Sequence, residues 1–77
     1  MSELIYIKFW GRLTDQFGRD MTVEASEVDT IESLVASLGG AVSDRSIRVI
    51  LNDTHITDNA TLNAGDRIEF LPPVGGG

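Results

Sequence analysis

The chain has 77 residues, of which 12 are acidic and 6 are basic, so its formal net charge is −6 at pH 7. This length allows one small domain with a thin core and excludes a separate cofactor-binding domain. The acidic balance and scattered basic residues argue against nucleic acid as a partner. The sequence contains no cysteine, which excludes disulfides, thiolate zinc sites and cysteine nucleophiles.

The amino-terminal sequence predicts neither a secretory leader nor a membrane segment. Met1-Ser2-Glu3 is acidic, and no small-residue cleavage site follows a long apolar run. No apolar stretch approaches the roughly 20 residues that a membrane-spanning helix needs. We therefore expect a cytoplasmic protein with no membrane partner.

The first two predicted strands form a hairpin. Residues 3–10 are rich in aromatic and β-branched side chains and alternate between two faces. The predicted inner face holds Ile5, Ile7 and Phe9, and the predicted outer face holds Tyr6, Lys8 and Trp10. A short turn or single helical turn over 11–17, ended by Gly18, leads to a second strand over 20–25.

An amphipathic helix is predicted after this hairpin. Asp29 and Glu32 have the spacing of a capping box, with Asp29 as the N-cap. The apolar residues that follow recur at intervals of three and four and form one stripe, made of Ile31, Leu34, Val35 and Leu38. Gly39 and Gly40 end the helix, because glycine accepts the left-handed cap conformation.

The rest of the chain predicts strands. Residues 46–51 predict a third strand, a short segment around 55–56 a fourth, and residues 67–71 the last one. The order β-β-α-β-β predicts an α+β domain of the β-grasp, or ubiquitin-like, class. Its mixed sheet of four or five strands would pack on one main helix. The first and last strands are central neighbours in this fold, so their outward residues should lie side by side.

The segment after the last strand consists of Pro72, Pro73, Val74, Gly75, Gly76 and Gly77. Proline ends sheet pairing, and glycine offers no side chain to pack, so we predict a domain over 1–71 and a flexible tail over 72–77. A frayed terminus is the simplest interpretation. A tail without Cβ atoms could also thread a narrow channel and deliver a carboxylate to another protein's active site. That carboxylate would need activation by a partner, because the chain has no GxxxxGK loop for ATP phosphates.

The carboxyl end also carries a family resemblance. Residues 62–77 are similar to the end of the small subunit of molybdopterin synthase, with a leucine, a Gly-Asp turn, a short apolar strand, Pro-Pro-Val and terminal glycines. Residues 9–13 and 49–52 resemble the same family of ubiquitin-like sulfur carriers, and the pattern covers nearly the whole chain. Gly75 departs from it, because the family often has a bulkier residue there.

The resemblance implies a non-catalytic, sulfur-donating subunit of a sulfurtransferase complex. A ubiquitin-activating-like adenylyltransferase would use ATP to adenylylate Gly77, and a sulfur donor protein would convert it to a thiocarboxylate. The thiocarboxylate would give its sulfur to the cyclic pyranopterin precursor in molybdenum cofactor biosynthesis. Catalytic acids and bases would lie on the large subunit of the synthase, so a hetero-oligomer is implied, and this chain would bind no cofactor or metal.

The resemblance also assigns roles to residues of this chain. The segment that would thread into the active site of the partner comprises Pro72, Pro73, Val74, Gly75 and Gly76. The residues that match the family's partner interface are Trp10, His55 and Leu71. Strand alternation independently places Trp10 and Leu71 outward and adjacent, and an exposed tryptophan beside a leucine is a plausible interface anchor.

Two other hypotheses stay open. The same carrier chemistry could serve thiamine thiazole synthesis, tRNA thiolation or conjugation to protein lysines, although Pro72-Pro73-Val74 disfavours these recipients. A β-grasp interaction module with a chemically idle tail belongs to a different class, and it predicts that deletion of Gly76 and Gly77 changes nothing. His55 lacks the partners of a catalytic triad or a metal site, so a surface or interface role is expected.

Overall fold

The computed structural model describes residues 3–39, 42 and 46–73. Its strands are β1 Leu4–Phe9, β2 Asp20–Glu24, β3 Arg48–Leu51, β4 Thr54–Ile56 and β5 Arg67–Leu71, and its helices are α1 Leu13–Phe17, the 3₁₀ turn Ala25–Glu27 and α2 Ile31–Leu38. The five strands lie in the order β2-β1-β5-β3-β4. Strands β1 and β5 are parallel and every other neighbouring pair is antiparallel. The predicted β-grasp fold is confirmed, with the first and last strands as central neighbours.

One face of the central strands forms the core. The inward residues of β1 and β5 are at most 1% exposed, and they are Ile5, Ile7, Phe9, Ile68 and Phe70. The Phe9 ring stacks on Phe70 with 5.7 Å between centroids and on Phe17 of α1 with 4.7 Å. Ile31 and Leu34 of α2 belong to the same buried cluster. The alternating pattern of the strands and the helical stripe therefore bury their apolar faces against one another.

No helix in the part of the chain that the structure describes has the length and apolar character needed to cross a membrane.

The amino-terminal cap of α2 differs from the predicted one. The predicted pair, Asp29 with Glu32, is wrong by one residue: the N-cap is Thr30, whose Oγ1 accepts a hydrogen bond from the Ser33 N–H at 3.2 Å. The Ser33 hydroxyl oxygen accepts the Thr30 N–H at 3.1 Å in return. The Glu32 N–H donates to Asn59 Oδ1 at 2.9 Å, across 27 residues of sequence. Spacing alone could not reveal this bond, because Asn59 reaches the helix only through the tertiary fold.

The cap assignment predicts a modest, specific loss of stability. Replacement of Thr30 by alanine removes the Oγ1 acceptor, so we expect the free energy of unfolding to fall by about 1 kcal/mol. Urea denaturation followed by circular dichroism measures this change. Asp29→Ala is the matched control, because the Asp29 backbone N–H, and not its carboxylate, bonds the Ser33 hydroxyl. A larger loss in Asp29→Ala than in Thr30→Ala would contradict the assignment.

The turn between β3 and β4 ties that hairpin to β5. Strand β3 begins at Arg48, two residues later than the prediction, and the turn at Asn52 and Asp53 has positive φ angles of 49° and 70°. Asn52 Oδ1 accepts the Arg67 N–H at 2.9 Å, and Asn52 Nδ2 donates to Asp66 Oδ1 at 3.0 Å. One asparagine side chain therefore holds the start of β5, the strand that leads into the tail.

Candidate functional site

A row of residues crosses the outer face of the sheet. Successive register pairs link Asp20, Lys8, Glu69, Ile50 and His55. Directly paired residues point to the same side of a sheet. The row faces outward because Ile68 and Phe70, on either side of Glu69, are fully buried. Charged groups therefore lie at the centre of the sheet, beside the exposed Tyr6 of β1 and the exposed Trp10 that follows this strand.

Trp10 is exposed yet held in one orientation. Its side chain is 41% exposed. The indole Nε1–H donates to Glu69 Oε1 at 2.9 Å, and Lys8 Nζ lies 4.4 Å from the ring centroid. The Trp10 backbone N–H also donates to the Phe70 carbonyl at 3.2 Å. A hydrogen bond and a cation–π contact thus fix the indole on the outer face, so a partner would meet a preorganised aromatic surface.

Two of the three predicted interface residues lie together. Phe9 pairs with Phe70, so the next residues along these parallel strands, Trp10 and Leu71, lie side by side. His55 is exposed on β4 and pairs with Ile50, two strand spacings or about 10 Å from the Glu69 strand. In the structure, Trp10 and Leu71 therefore lie next to each other where the tail begins, and His55 lies farther along the same face of the sheet.

Sequence reasoning missed the residues that support this surface. Glu69 and Lys8 hold Trp10, and Ile50 bridges the central strands to His55. Alternation along β1 and β5 showed that Lys8 and Glu69 point outward. Their register across the sheet, which decides that both meet the same indole, is not contained in either strand alone.

The tail begins against the loop before α1. Pro72 is buried and Pro73 is exposed. Gly11 has φ of +58°, and a Cβ added there would lie 2.9 Å from Pro72 Cγ. The domain boundary predicted after Leu71 stays a prediction, and the predicted threading residues Val74, Gly75 and Gly76, with the carrier residue Gly77, lie outside the described residues.

A groove flanks the point where the tail leaves the sheet. It has a volume of about 370 Å³ and is lined by Ser46, Arg48, Leu71, Pro72 and Pro73. Arg48 pairs with Leu71 across β3 and β5. The groove is therefore lined by two polar residues together with the apolar residues at the end of β5 and the start of the tail. In the described part of the chain, no group of three or more His, Asp or Glu side chains is placed to hold a metal ion.

A protein-family model matches almost the whole chain. The ThiS family model matches residues 7–77, which includes every strand except the start of β1 and continues through the tail. The chain belongs to the ThiS family. This assignment confirms the resemblance to ubiquitin-like sulfur carriers that the carboxyl-terminal sequence indicated.

Individual relatives of this ThiS-family chain agree with that assignment. The molybdopterin synthase sulfur carrier subunit of Escherichia coli (strain K12) is 27% identical over 81 residues, which cover 96% of this chain and 100% of that protein. One chain in the complex of subunits 1 and 2 of the molybdopterin-converting factor from Helicobacter pylori 26695 has a TM-score of 0.69 and 25% identity, with 96% of this chain and 99% of that chain covered.

A further solved structure shares the fold. The solution structure of the Haloferax volcanii HVO 2177 protein has a TM-score of 0.79 and 18% identity, with 99% of this chain and 88% of that chain covered. At this level of identity the likeness shows that the β-grasp architecture is common to both chains.

Proposed function

We propose that this ThiS-family chain is the sulfur carrier subunit of a molybdopterin synthase. The observation that carries the proposal is the point at which the tail begins. Strand β5 runs through the centre of the sheet and ends at Leu71, beside the fixed indole of Trp10. A partner that docks on this aromatic surface therefore lies directly next to the start of the tail. The full-length match to the Escherichia coli sulfur carrier subunit supports the same role.

The proposed chemistry takes place at the α-carboxylate of Gly77. A carboxylate oxygen attacks the α-phosphorus of ATP on a ubiquitin-activating-like adenylyltransferase, and pyrophosphate leaves. Sulfide-level sulfur delivered by a donor protein then attacks the acyl carbon and displaces AMP, which gives a thiocarboxylate. The thiocarboxylate sulfur bonds to a carbon of the cyclic pyranopterin precursor, and water then cleaves the acyl–sulfur bond, which leaves the sulfur on the pterin and returns Gly77 to a carboxylate. This chain supplies the carried group and no catalytic acid or base, so it is a non-catalytic subunit.

The geometry limits where the partner's active site lies. The six residues from Pro72 to Gly77 span at most about 20 Å when extended. The active site of the large subunit must therefore lie within about that distance of the surface formed by Trp10 and Leu71. In this scheme ATP is used by the activating enzyme, and this chain itself binds no cofactor. The synthase is a hetero-oligomer and acts in the cytoplasm.

Intact mass spectrometry tests the proposal. The full chain is incubated with a matching activating enzyme, ATP and a sulfur source, and then with the large subunit and the pterin precursor. We expect a mass gain equal to replacement of one oxygen by sulfur, mapped to Gly77, and its disappearance as the precursor is converted. No adduct and no AMP-linked intermediate, with an enzyme that is active on its own carrier, would overturn it. A thiocarboxylate that leaves the precursor unconverted would move the recipient to thiamine or tRNA thiolation.

The docking surface predicts a large effect of one exposed side chain. Trp10→Ala removes the central aromatic group, so we expect the affinity for the large subunit to fall about 10- to 100-fold in a calorimetric titration. The fold should persist, because the indole lies outside the core. Tyr6→Ala is the matched control: Tyr6 is 49% exposed on the same face of β1, but lies four residues farther from the tail. Unchanged affinity in Trp10→Ala, or an equal loss in Tyr6→Ala, would contradict a surface centred on Trp10.

A further inference from the structure

Pro72 occupies space that is available because residue 11 is glycine. A Cβ on Gly11 would lie 2.9 Å from Pro72 Cγ, which is closer than carbon atoms of packed side chains approach. The φ of Gly11, +58°, also lies in the left-handed region that favours glycine. Pro72 is buried in this space, whereas the following residue, Pro73, is exposed. The first residue after β5 is therefore packed against the loop that follows β1.

Hydrogen bonds fix that loop. The Gly11 carbonyl accepts both the Thr14 N–H at 3.1 Å and the Thr14 hydroxyl at 2.9 Å. The Trp10 carbonyl accepts the Leu13 N–H at 3.2 Å, and the Trp10 N–H donates to Phe70 at 3.2 Å. Backbone hydrogen bonds thus hold Gly11 between β1 and α1. On the other side of the contact lies Pro72, whose ring fixes its own φ.

We propose that the contact between Gly11 and Pro72 fixes the origin of the tail relative to the docking surface, so that Gly11 is a positioning residue for sulfur transfer. This inference rests on the proposed function. Gly11 follows Trp10 directly, so the same loop carries the docking anchor and the contact that holds Pro72. A fixed origin raises the effective concentration of a tethered group at its target. Small misplacements of reacting groups lower the reaction rate.

A double-mutant cycle between Gly11→Ala and Pro72→Ala tests the contact in the assembled synthase. The readouts are the affinity for the large subunit and the single-turnover rate of sulfur transfer from the preformed thiocarboxylate. We expect Gly11→Ala to lower that rate about tenfold at a saturating concentration of the large subunit, where a change in affinity does not contribute. In the Pro72→Ala background, where Cγ is absent, the added Gly11→Ala change should lower the rate by less than about twofold.

Gly65→Ala is the matched control for backbone strain. Gly65 has φ of +88°, and an added Cβ there meets no atom within 4 Å. The Gly65→Ala variant should therefore lose stability as Gly11→Ala does, but should transfer sulfur at the wild-type rate. Pro72→Ala removes Cγ, leaves residue 11 a glycine and should also lower the transfer rate, so it tests the contact even if Gly11→Ala does not fold.

The outcomes separate this inference from the proposed function. Wild-type transfer rates in both Gly11→Ala and Pro72→Ala, or losses that simply add in the double variant, would overturn the positioning role and leave the carrier function intact. Failure of the wild-type chain to form any thiocarboxylate would overturn the proposed function, and the positioning role with it.

Discussion

Removal of Gly76 and Gly77 is expected to abolish sulfur transfer completely while the domain stays folded. Among the described residues, the last strand ends at Leu71 and the buried hydrophobic cluster ends at Phe70. The truncation removes two glycines, which have no side chain to bury in a core, so we expect the fold to persist. It withdraws the chain's terminal carboxylate by two residues, or roughly 7 Å of extended chain, so the group should no longer reach the activating enzyme's ATP. Intact mass measures the loss of the adenylate and the thiocarboxylate, and circular dichroism during thermal unfolding measures the fold.

A truncation of the same size at the other end provides the control. Removal of Met1 and Ser2 also shortens the chain by two residues but leaves the carboxyl terminus unchanged, so thiocarboxylate formation should persist. If the chain were an interaction module with an idle tail, both truncations would behave alike and partner binding would survive in each. Full thiocarboxylate formation on the chain without Gly76 and Gly77 would contradict the carrier proposal.

Phe70→Ala should cause the largest loss of stability of any substitution considered. The side chain is completely buried on the central strand β5, with its ring centroid 5.7 Å from that of Phe9. Truncation of such a ring costs about 3–5 kcal/mol, a large share of the roughly 5–15 kcal/mol that stabilises a small domain. Urea denaturation measures the change, and we expect substantial unfolding at 37 °C.

Conservative and neighbouring changes show whether the effect comes from the core. Phe70→Leu keeps most of the buried volume, so the loss should stay below about 1.5 kcal/mol. Arg67→Ala lies at the exposed start of the same strand and should change the free energy of unfolding by less than about 0.5 kcal/mol. A loss below about 1 kcal/mol in Phe70→Ala would mean that β5 is not packed as the structure shows.

The main elements were predictable because their signals are local. The alternation in β1 places Ile5, Ile7 and Phe9 in the core, and the stripe of α2 places Ile31 and Leu34 there. Glycine ends both helices, with Gly18 after α1 and Gly39 after α2. Each of these features depends on a period or a residue type within a few positions.

The two errors have different origins. The predicted cap of α2 is wrong by one residue although the observed pair, Thr30 and Ser33, is local, whereas the bond from the Glu32 N–H to Asn59 comes from a separate loop. Strand β3 is shorter than the pattern suggested because only Arg48–Leu51 pair with β5. Propensity cannot place such boundaries, since the hydrogen-bond partner that ends or extends an element is chosen by packing.

Local pattern alone established the element order, the buried faces and a glycine-ended segment after the last strand. Tertiary packing decided which residues of those parts contact one another. The bond between Trp10 and Glu69 joins residues 59 positions apart, and the contact between Gly11 and Pro72 joins the loop after the first strand to the start of the tail. Both depend on the parallel register of β1 and β5, which arises only when the two strands and the helix bury their apolar faces in one core.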